Sequence, residues 1–208
     1  FGNVGQGLAQ ILHDRREEIA RQFGASFHLI SICDSSKGTV YKPDGIDLVD
    51  LLTNVQKTGS LQDVSGDHPD WDALQLIENT QADVIVEVSY TDLKTGEPAT
   101  SYIKRALKAG KHVVSSNKGP IALHYASLVE TAIRSGAELG MEGTVMSGTP
   151  ALHLGMEYLA AAGIEKIEGI FNGTTNFILS QMSTGSSYAE ALAQAQDLGY
   201  AEADPAGD

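Results

Sequence analysis

Apolar side chains recur along this chain in two alternating rhythms. From Gly5, the positions Leu8, Ile11, Leu12, Ile19 and Phe23 repeat near a helical period, and Gly24 closes the run. The segment Phe27-His28-Leu29-Ile30-Ser31-Ile32-Cys33-Asp34 reads as a strand that stops at an acid. Two helices are predicted over 46–57 and 71–79, followed by a short buried strand over 84–88. A helix over 98–109 is closed by Gly110, which suits a left-handed C-terminal cap. A strand over 111–115 and a helix over 121–134, stopped by Gly136, complete the series. Strand and helix alternate throughout, so the pattern predicts an α/β fold with a parallel sheet covered on both faces.

After Gly148 the rhythm changes. A helix is predicted over 150–162, a strand over Ile164 to Phe171, and helices over 175–182 and 188–198, the last broken at Gly199. The change places a domain boundary near residue 148, giving domains 1–148 and 149–208. The chain lacks an initiating Met, opens directly on a glycine-rich turn and closes in a polar loop, so both ends read as cuts through a longer protein.

Composition narrows the function classes. Of 208 residues, 42% are hydrophobic and 20% charged, as in ordinary globular proteins, and the net charge of −13 repels phosphate backbones, which argues against nucleic acid as a partner. Cys33 stands alone, so neither an intramolecular disulfide nor a thiolate metal cluster can form within the chain. No apolar run approaches the ~18 residues a membrane helix needs, and no secretory signal is visible; a reducing cytoplasm is the default expectation.

Four segments carry candidate chemistry. The opening Gly2-x-x-Gly5-x-Gly7 places glycines where a dinucleotide fold turns sharply into a helix whose N–H groups face a pyrophosphate. Asp34, at the end of the next predicted strand, lies 32 residues after Gly2, longer than the roughly 20 of the usual fingerprint. It is either a ribose ligand or a solvated strand-end carboxylate. Ser115-Ser116-Asn117-Lys118-Gly119-Pro120 follows a strand directly, where an open α/β sheet binds ligands. Lys118 is there either to steady a cofactor or polarise a substrate carbonyl, or as a plain surface lysine. Asn172-Gly173-Thr174-Thr175-Asn176 leads into an apolar helix with Thr174 or Thr175 as the expected N-cap. Gly199-Tyr200-Ala201-Glu202-Ala203-Asp204-Pro205-Ala206-Gly207-Asp208 concentrates three carboxylates in a loop that is either solvated or liganded.

Taken together, these segments resemble the homoserine dehydrogenase family over the whole chain. The Asn-Gly-Thr-Thr-Asn and Gly-Tyr-Ala-Glu-x-Asp-Pro segments discriminate most, because many dehydrogenases share only the glycine turn. The resemblance implies a Rossmann-type doubly wound sheet followed by the start of an α+β catalytic and dimerisation domain. It also implies NAD- or NADP-dependent interconversion of L-aspartate 4-semialdehyde and L-homoserine, on the route to threonine, methionine and isoleucine, by a homodimer or homotetramer.

By the same resemblance Phe1, Gly2, Asn3 and Val4 line the pyrophosphate, with Gly5 as the last glycine of the turn. Thr91 lies beside the adenosine or nicotinamide half, and Lys118 lies near both nicotinamide and substrate. Glu202 binds homoserine, Gly199 sits nearby at the cofactor, and Asp208 is a further active-site acid. Main-chain oxygens of Glu142, Val145, Ser147 and Thr149 are the expected sodium ligands. The family's catalytic lysine and a second substrate-binding aspartate are expected after Asp208. Two alternatives stay open: another Rossmann oxidoreductase acting on an amino-acid-derived substrate, and a non-catalytic dinucleotide-binding module. Cofactor choice is open too, since Asp34 suits the ribose hydroxyls of NAD while Ser35, Ser36 and Lys37 would accommodate a 2′-phosphate.

Overall fold

Where the helical rhythm begins, a computed structural model, which describes residues 1–67 and 70–201, places two helices in place of the single one expected. Helix α1 (Asn3–Asp14) and helix α2 (Arg16–Phe23) are separated at Arg15, whose backbone leaves the helical region. The cause lies in His13-Asp14-Arg15-Arg16-Glu17-Glu18, a polar stretch with no apolar side chain to anchor a continuous stripe. Gly24 ends α2 with φ 64°, in the left-handed conformation glycine adopts without steric cost.

The first strand is shorter than expected and pairs differently. Strand β1 (Ser31–Asp34) turns back into strand β2 (Gly38–Tyr41) as an antiparallel hairpin, with Ser31 opposite Tyr41 and Asp34 opposite Gly38. Asp34 ties the turn by accepting from the amides of Ser36 (2.8 Å) and Lys37 (3.0 Å). Thr39, Val40 and Tyr41 then supply the β-branched and aromatic side chains a pleated surface favours. Helix α3 (Leu48–Thr58), started by Asp47 accepting from the Val49 and Asp50 amides, covers the hairpin. Ile32, Val40, Ile46, Leu51, Val55 and Leu61 form the buried cluster beneath it.

Helix α4 (Ala73–Asn79), opened by an Asp72–Gln75 capping box, leads into the second sheet. Strands β3 (Val84–Glu87), β4 (His112–Ser115) and β5 (Leu139–Gly140) are parallel with β4 central. The connections are helix α5 (Ala99–Lys108) and helix α6 (Lys118–Ser135). β5 goes beyond the sequence expectation, being too short to show a period. Ile85 and Val113 pack against Ile103, Ala106, Leu107 and Leu128 of α5 and α6. On the opposite face, Val84, Val86 and Val114 remain 40%, 42% and 49% exposed.

The chain divides into two compact units, Phe1–Met141 and the part from Glu142 onward. In the second, the helix expected over 150–162 is fragmented into α7 (Ala151–His153), a π-helical turn (Leu154–Tyr158) and a 3₁₀ turn (Ala160–Ala162). The strand expected from Ile164 to Phe171 is absent. A strand needs a neighbour for its N–H and C=O groups, and no strand pairs with this segment among the described residues, so its apolar side chains stay exposed. Helix α8 (Gly173–Ser183) and helix α9 (Tyr188–Asp197) pack through Ile178, Ala191 and Ala195. The N-cap of α8 is Asn172, accepting from the Thr175 amide at 2.8 Å, and not a threonine; Thr174 is turned inward and donates to Tyr200 O.

A buried lysine and a buried threonine at the end of α4 make opposite predictions. Lys111 Nζ donates to the carbonyls of Ile77 and Thr80, both at 2.6 Å, and burial lowers its pKa while the Asp83 charge opposes that shift. Thr80 Oγ1, in contrast, is buried without a partner among the described residues. In the full-length protein, Lys111→Met is expected to lower the unfolding free energy by about 1–3 kcal/mol, because it strands two acceptors. Thr80→Val is expected to be neutral or to stabilise by up to about 1 kcal/mol, because it removes an unsatisfied hydroxyl. Urea denaturation of the two variants checks both signs.

Candidate functional site

The carboxyl ends of β3 and β4 carry the densest polar network of the first unit. Glu87 is the last residue of β3 and only 4% exposed, and it lies opposite Ser115, the last residue of β4. The Glu87 carboxylate accepts from the Ser89 amide (2.9 Å), the Ser89 hydroxyl and the Ser115 hydroxyl (3.0 Å). Ser115 Oγ in turn accepts from the Asn117 amide at 3.0 Å. The Asn117 side chain donates to the carbonyls of Ser89 (3.3 Å) and Tyr90 (3.2 Å) and caps α6 by accepting from the Gly119 amide (3.2 Å). The loops following both strands are thus bound to one buried frame.

Lys118 stands on that frame as the first residue of α6, a helix that begins three residues earlier than the sequence pattern predicts. It is exposed, and none of the hydrogen bonds or ion pairs among the described residues involves its ammonium. Gly119 behind it permits a close approach. A Cβ there would fall 2.4 Å from the carbonyl oxygen of Asp92, so only glycine lets the turn holding Lys118 pack against the loop that carries half-buried Thr91. That loop is itself pinned, since the Asp92 carboxylate accepts from the Lys94 and Thr95 amides, both at 2.8 Å.

The glycine turn approaches the same end of β3. A Cβ on buried Gly5 would touch the Phe1 ring at 3.1 Å and Val88 at 3.7 Å. Gly2, the N-cap of α1, provides no side-chain cap, and the first turn through Asn3, Val4 and Gly5 contains no acid. The helix therefore presents backbone donors with no competing carboxylate. Phe1 packs against the buried cluster under the β1–β2 hairpin, whose first strand ends at Asp34. Burial opposes its ionisation, while the bonds from the Ser36 amide and hydroxyl favour it.

In the second unit Gly199 adopts φ 75° just beyond α9. The Glu142 carboxylate caps α7, accepting from the Leu152 (3.0 Å) and His153 (2.9 Å) amides. Met146 and Ser147 take left-handed backbone angles, φ 58° and 52°, between Val145 and Thr149. Glu202 and Asp208 lie outside the described residues. Phe1 to Gly5 and Asp34 are therefore one cluster, and Thr91 and Lys118 are a second that shares the carboxyl end of β3. Glu87, Ser89 and Ser115 hold the second cluster without being marked as site residues by the sequence pattern. The one available signal is a lone carboxylate closing the apolar run Val84-Ile85-Val86-Glu87-Val88.

Parallel strands joined by helices, with a glycine turn and a helix N-terminus at their carboxyl ends, define a Rossmann-type nucleotide-binding domain. The family model of the homoserine dehydrogenase NAD-binding domain matches residues 1–142, and that of homoserine dehydrogenase matches residues 150–208. This chain belongs to the homoserine dehydrogenase family. Over its full length it is 41% identical to an NAD(+)-dependent homoserine dehydrogenase of Pseudomonas canavaninivorans and 38% identical to a homoserine dehydrogenase of Methanocaldococcus jannaschii, covering 59% and 62% of those proteins. It superposes, again over its full length, on 62% of a hyperthermophilic archaeal homoserine dehydrogenase in complex with NADPH, at 34% identity and a TM-score of 0.83. The chain thus spans about three-fifths of the length of these relatives.

Asp34 supplies a test of cofactor choice. Asp34→Asn keeps an oxygen to accept from the Ser36 and Lys37 amides but removes the charge that would repel a 2′-phosphate. In the full-length protein, kcat/KM with NADP relative to NAD is expected to rise by about tenfold, roughly 1.4 kcal/mol. An unchanged ratio would leave Asp34 as a carboxylate that only ties its turn.

Proposed function

We propose that the full-length protein is an NAD- or NADP-dependent homoserine dehydrogenase that interconverts L-aspartate 4-semialdehyde and L-homoserine. The observation that carries this reading is Lys118: a solvent-facing ammonium at the carboxyl end of β4, on a helix start fixed by buried Asn117 and Ser115. The names of the relatives supply the substrate and reaction class.

The residues fit a dinucleotide. Gly2 and the first turn of α1 offer backbone donors to a pyrophosphate, with Phe1, Asn3, Val4 and Gly5 around them, and a Cβ at Gly2 would meet nothing within 4 Å. When bound, the nicotinamide supplies or accepts the hydride. Lys118 then faces the carbonyl oxygen of the substrate and polarises it, stabilising negative charge that develops there. Glu202 binds the substrate ammonium and so orients the reacting carbon. The family resemblance assigns Thr91 and Gly199 to the cofactor and Asp208 to the active site.

The second-unit loop fits a sodium ion by its oxygen chemistry. The carbonyls of Glu142 and Thr149 accept from the amides of Val145 (3.4 Å) and Ala151 (2.7 Å), and each keeps a further lone pair. The left-handed backbone at Met146 and Ser147 costs about 1–2 kcal/mol per residue, an expense consistent with a loop shaped for its main-chain oxygens, those of Val145 and Ser147 included. The working form is read as a homodimer or homotetramer acting in the cytoplasm. Among the described residues no helix is long and apolar enough to cross a membrane.

Two substitutions in the full-length enzyme separate these roles. Lys118→Ala is expected to reduce kcat/KM for homoserine about 10²-fold, roughly 2.7 kcal/mol of transition-state stabilisation. A kinetically silent change would make Lys118 an ordinary surface lysine. Glu202→Gln keeps size and loses charge, so the KM for homoserine should rise far more than the KM for the dinucleotide. Equal movement of both constants, or of neither, would remove Glu202 from the substrate site.

A further inference from the structure

β3 is apolar up to its last position, and there it buries a carboxylate. Glu87 is 4% exposed, and among the described residues it has no ion-pair partner; its partners are the Ser89 amide and hydroxyl and the Ser115 hydroxyl. A carboxylate in this place costs desolvation that a valine would avoid, and only its hydrogen bonds offset that cost. Those bonds have a direction. Because the Ser115 hydroxyl donates to Glu87, the Ser115 lone pairs are left to accept from the Asn117 amide at 3.0 Å. Asn117 then holds the Gly119 amide through its side-chain oxygen and the Ser89 and Tyr90 carbonyls through its side-chain nitrogen. Lys118 lies between the two residues so fixed. The chain of donors has one polarity, and its terminal acceptor is the Glu87 carboxylate.

We propose that Glu87 is a positioning residue for Lys118, acting through Ser115 and Asn117 to set the first turn of α6 at the reacting carbonyl. The proposal rests on the catalytic reading of Lys118 above. A neutral amide at position 87 can accept at one oxygen only. With that oxygen turned to Ser89, its nitrogen would donate to Ser115 and reverse the relay, forcing the Ser115 proton away from Glu87. The geometry of Asn117 and Lys118 would then loosen without loss of any apolar packing, and a misplacement of about 1 Å at a reacting group is costly for the chemical step.

A double-mutant cycle in the full-length enzyme tests this. Glu87→Gln is expected to lower kcat about tenfold with Lys118 present, to lower it less than about threefold in a Lys118→Ala background, and to change dinucleotide affinity, read by calorimetric titration, less than about threefold. Ser115→Ala cuts the same relay while keeping the carboxylate itself, whose Oε1 still accepts from Ser89. It is expected to give the same pattern, and it carries the cycle if Glu87→Gln does not fold. An equal fall in kcat in both backgrounds would make Glu87 a structural group only. So would a Ser115→Ala enzyme with unchanged kcat. A silent Lys118→Ala would instead overturn the catalytic reading itself, and this proposal with it.

Discussion

The register of β3 against β4 is the constraint on which the first unit's chemistry depends. Val84 pairs with His112 and Glu87 with Ser115, so the last residues of the two strands meet side by side. Side chains alternate across a strand, and a slip of one position would exchange the two faces. Glu87 and Ser115 would then leave the helix-covered face that Ile85 and Val113 share, and the valines at 84, 86 and 114 would enter it. Apolar packing under α5 and α6 and the polar frame beyond the strand ends are therefore set by a single alignment. The first gives stability, and the second holds the helix start on which Lys118 stands.

Glycine placement shows the same economy at the loops. Gly119 is required by the approach of the Asp92 carbonyl, and Gly96, at φ 70°, lies against the Gly119–Pro120 peptide. Removing side chains at these points lets the loop after β3 and the start of α6 share one volume. Backbone contact is stiffer than contact through long side chains, which have rotamers to lose. An ammonium mounted on such a base moves mainly through its own methylene stem.

Much of the first unit was legible in the sequence, and the exceptions have physical reasons. Helices α3 to α6 were readable because each carries a periodic apolar stripe and a cap, such as Asp47 before α3 or Gly136 after α6. The β1–β2 hairpin was not, although Asp34-Ser35-Ser36-Lys37-Gly38 is a fair turn signal, because alternation of strands and helices pointed to a parallel neighbour. Periodicity also failed for Ile164 to Phe171. Its pattern is that of a strand, but strand formation is decided by a partner's hydrogen bonds, and a linear reading carries no information about that partner. In the site, Lys118 and the glycine turn stand out through their position after strands and before helices. Glu87 does not, since its role is defined by Ser115 and Asn117, residues far along the chain.

Charge at two scales explains how a chain of net charge −13 presents a site suited to an anionic ligand. The long-range field disfavours an extended polyanion, where many phosphates must be accommodated at once. A pyrophosphate is small, and its energy is set within the first few ångströms, where screening and distance have not yet averaged the field. There the chain places the uncapped start of α1 with no acid in its first turn. Near the carboxyl ends of β3 and β4, the two carboxylates closest in sequence to the site loops are already committed. Glu87 is occupied by Ser89 and Ser115, and Asp92 by the Lys94 and Thr95 amides. Hydrogen-bonded in this way, the acids brace the loops while directing little negative charge towards the ligand side, and the exposed Lys118 ammonium adds local positive charge. Acidity of the whole and anion binding at one edge are compatible because the donors are backbone dipoles held in place, and these do not enter the net charge at all.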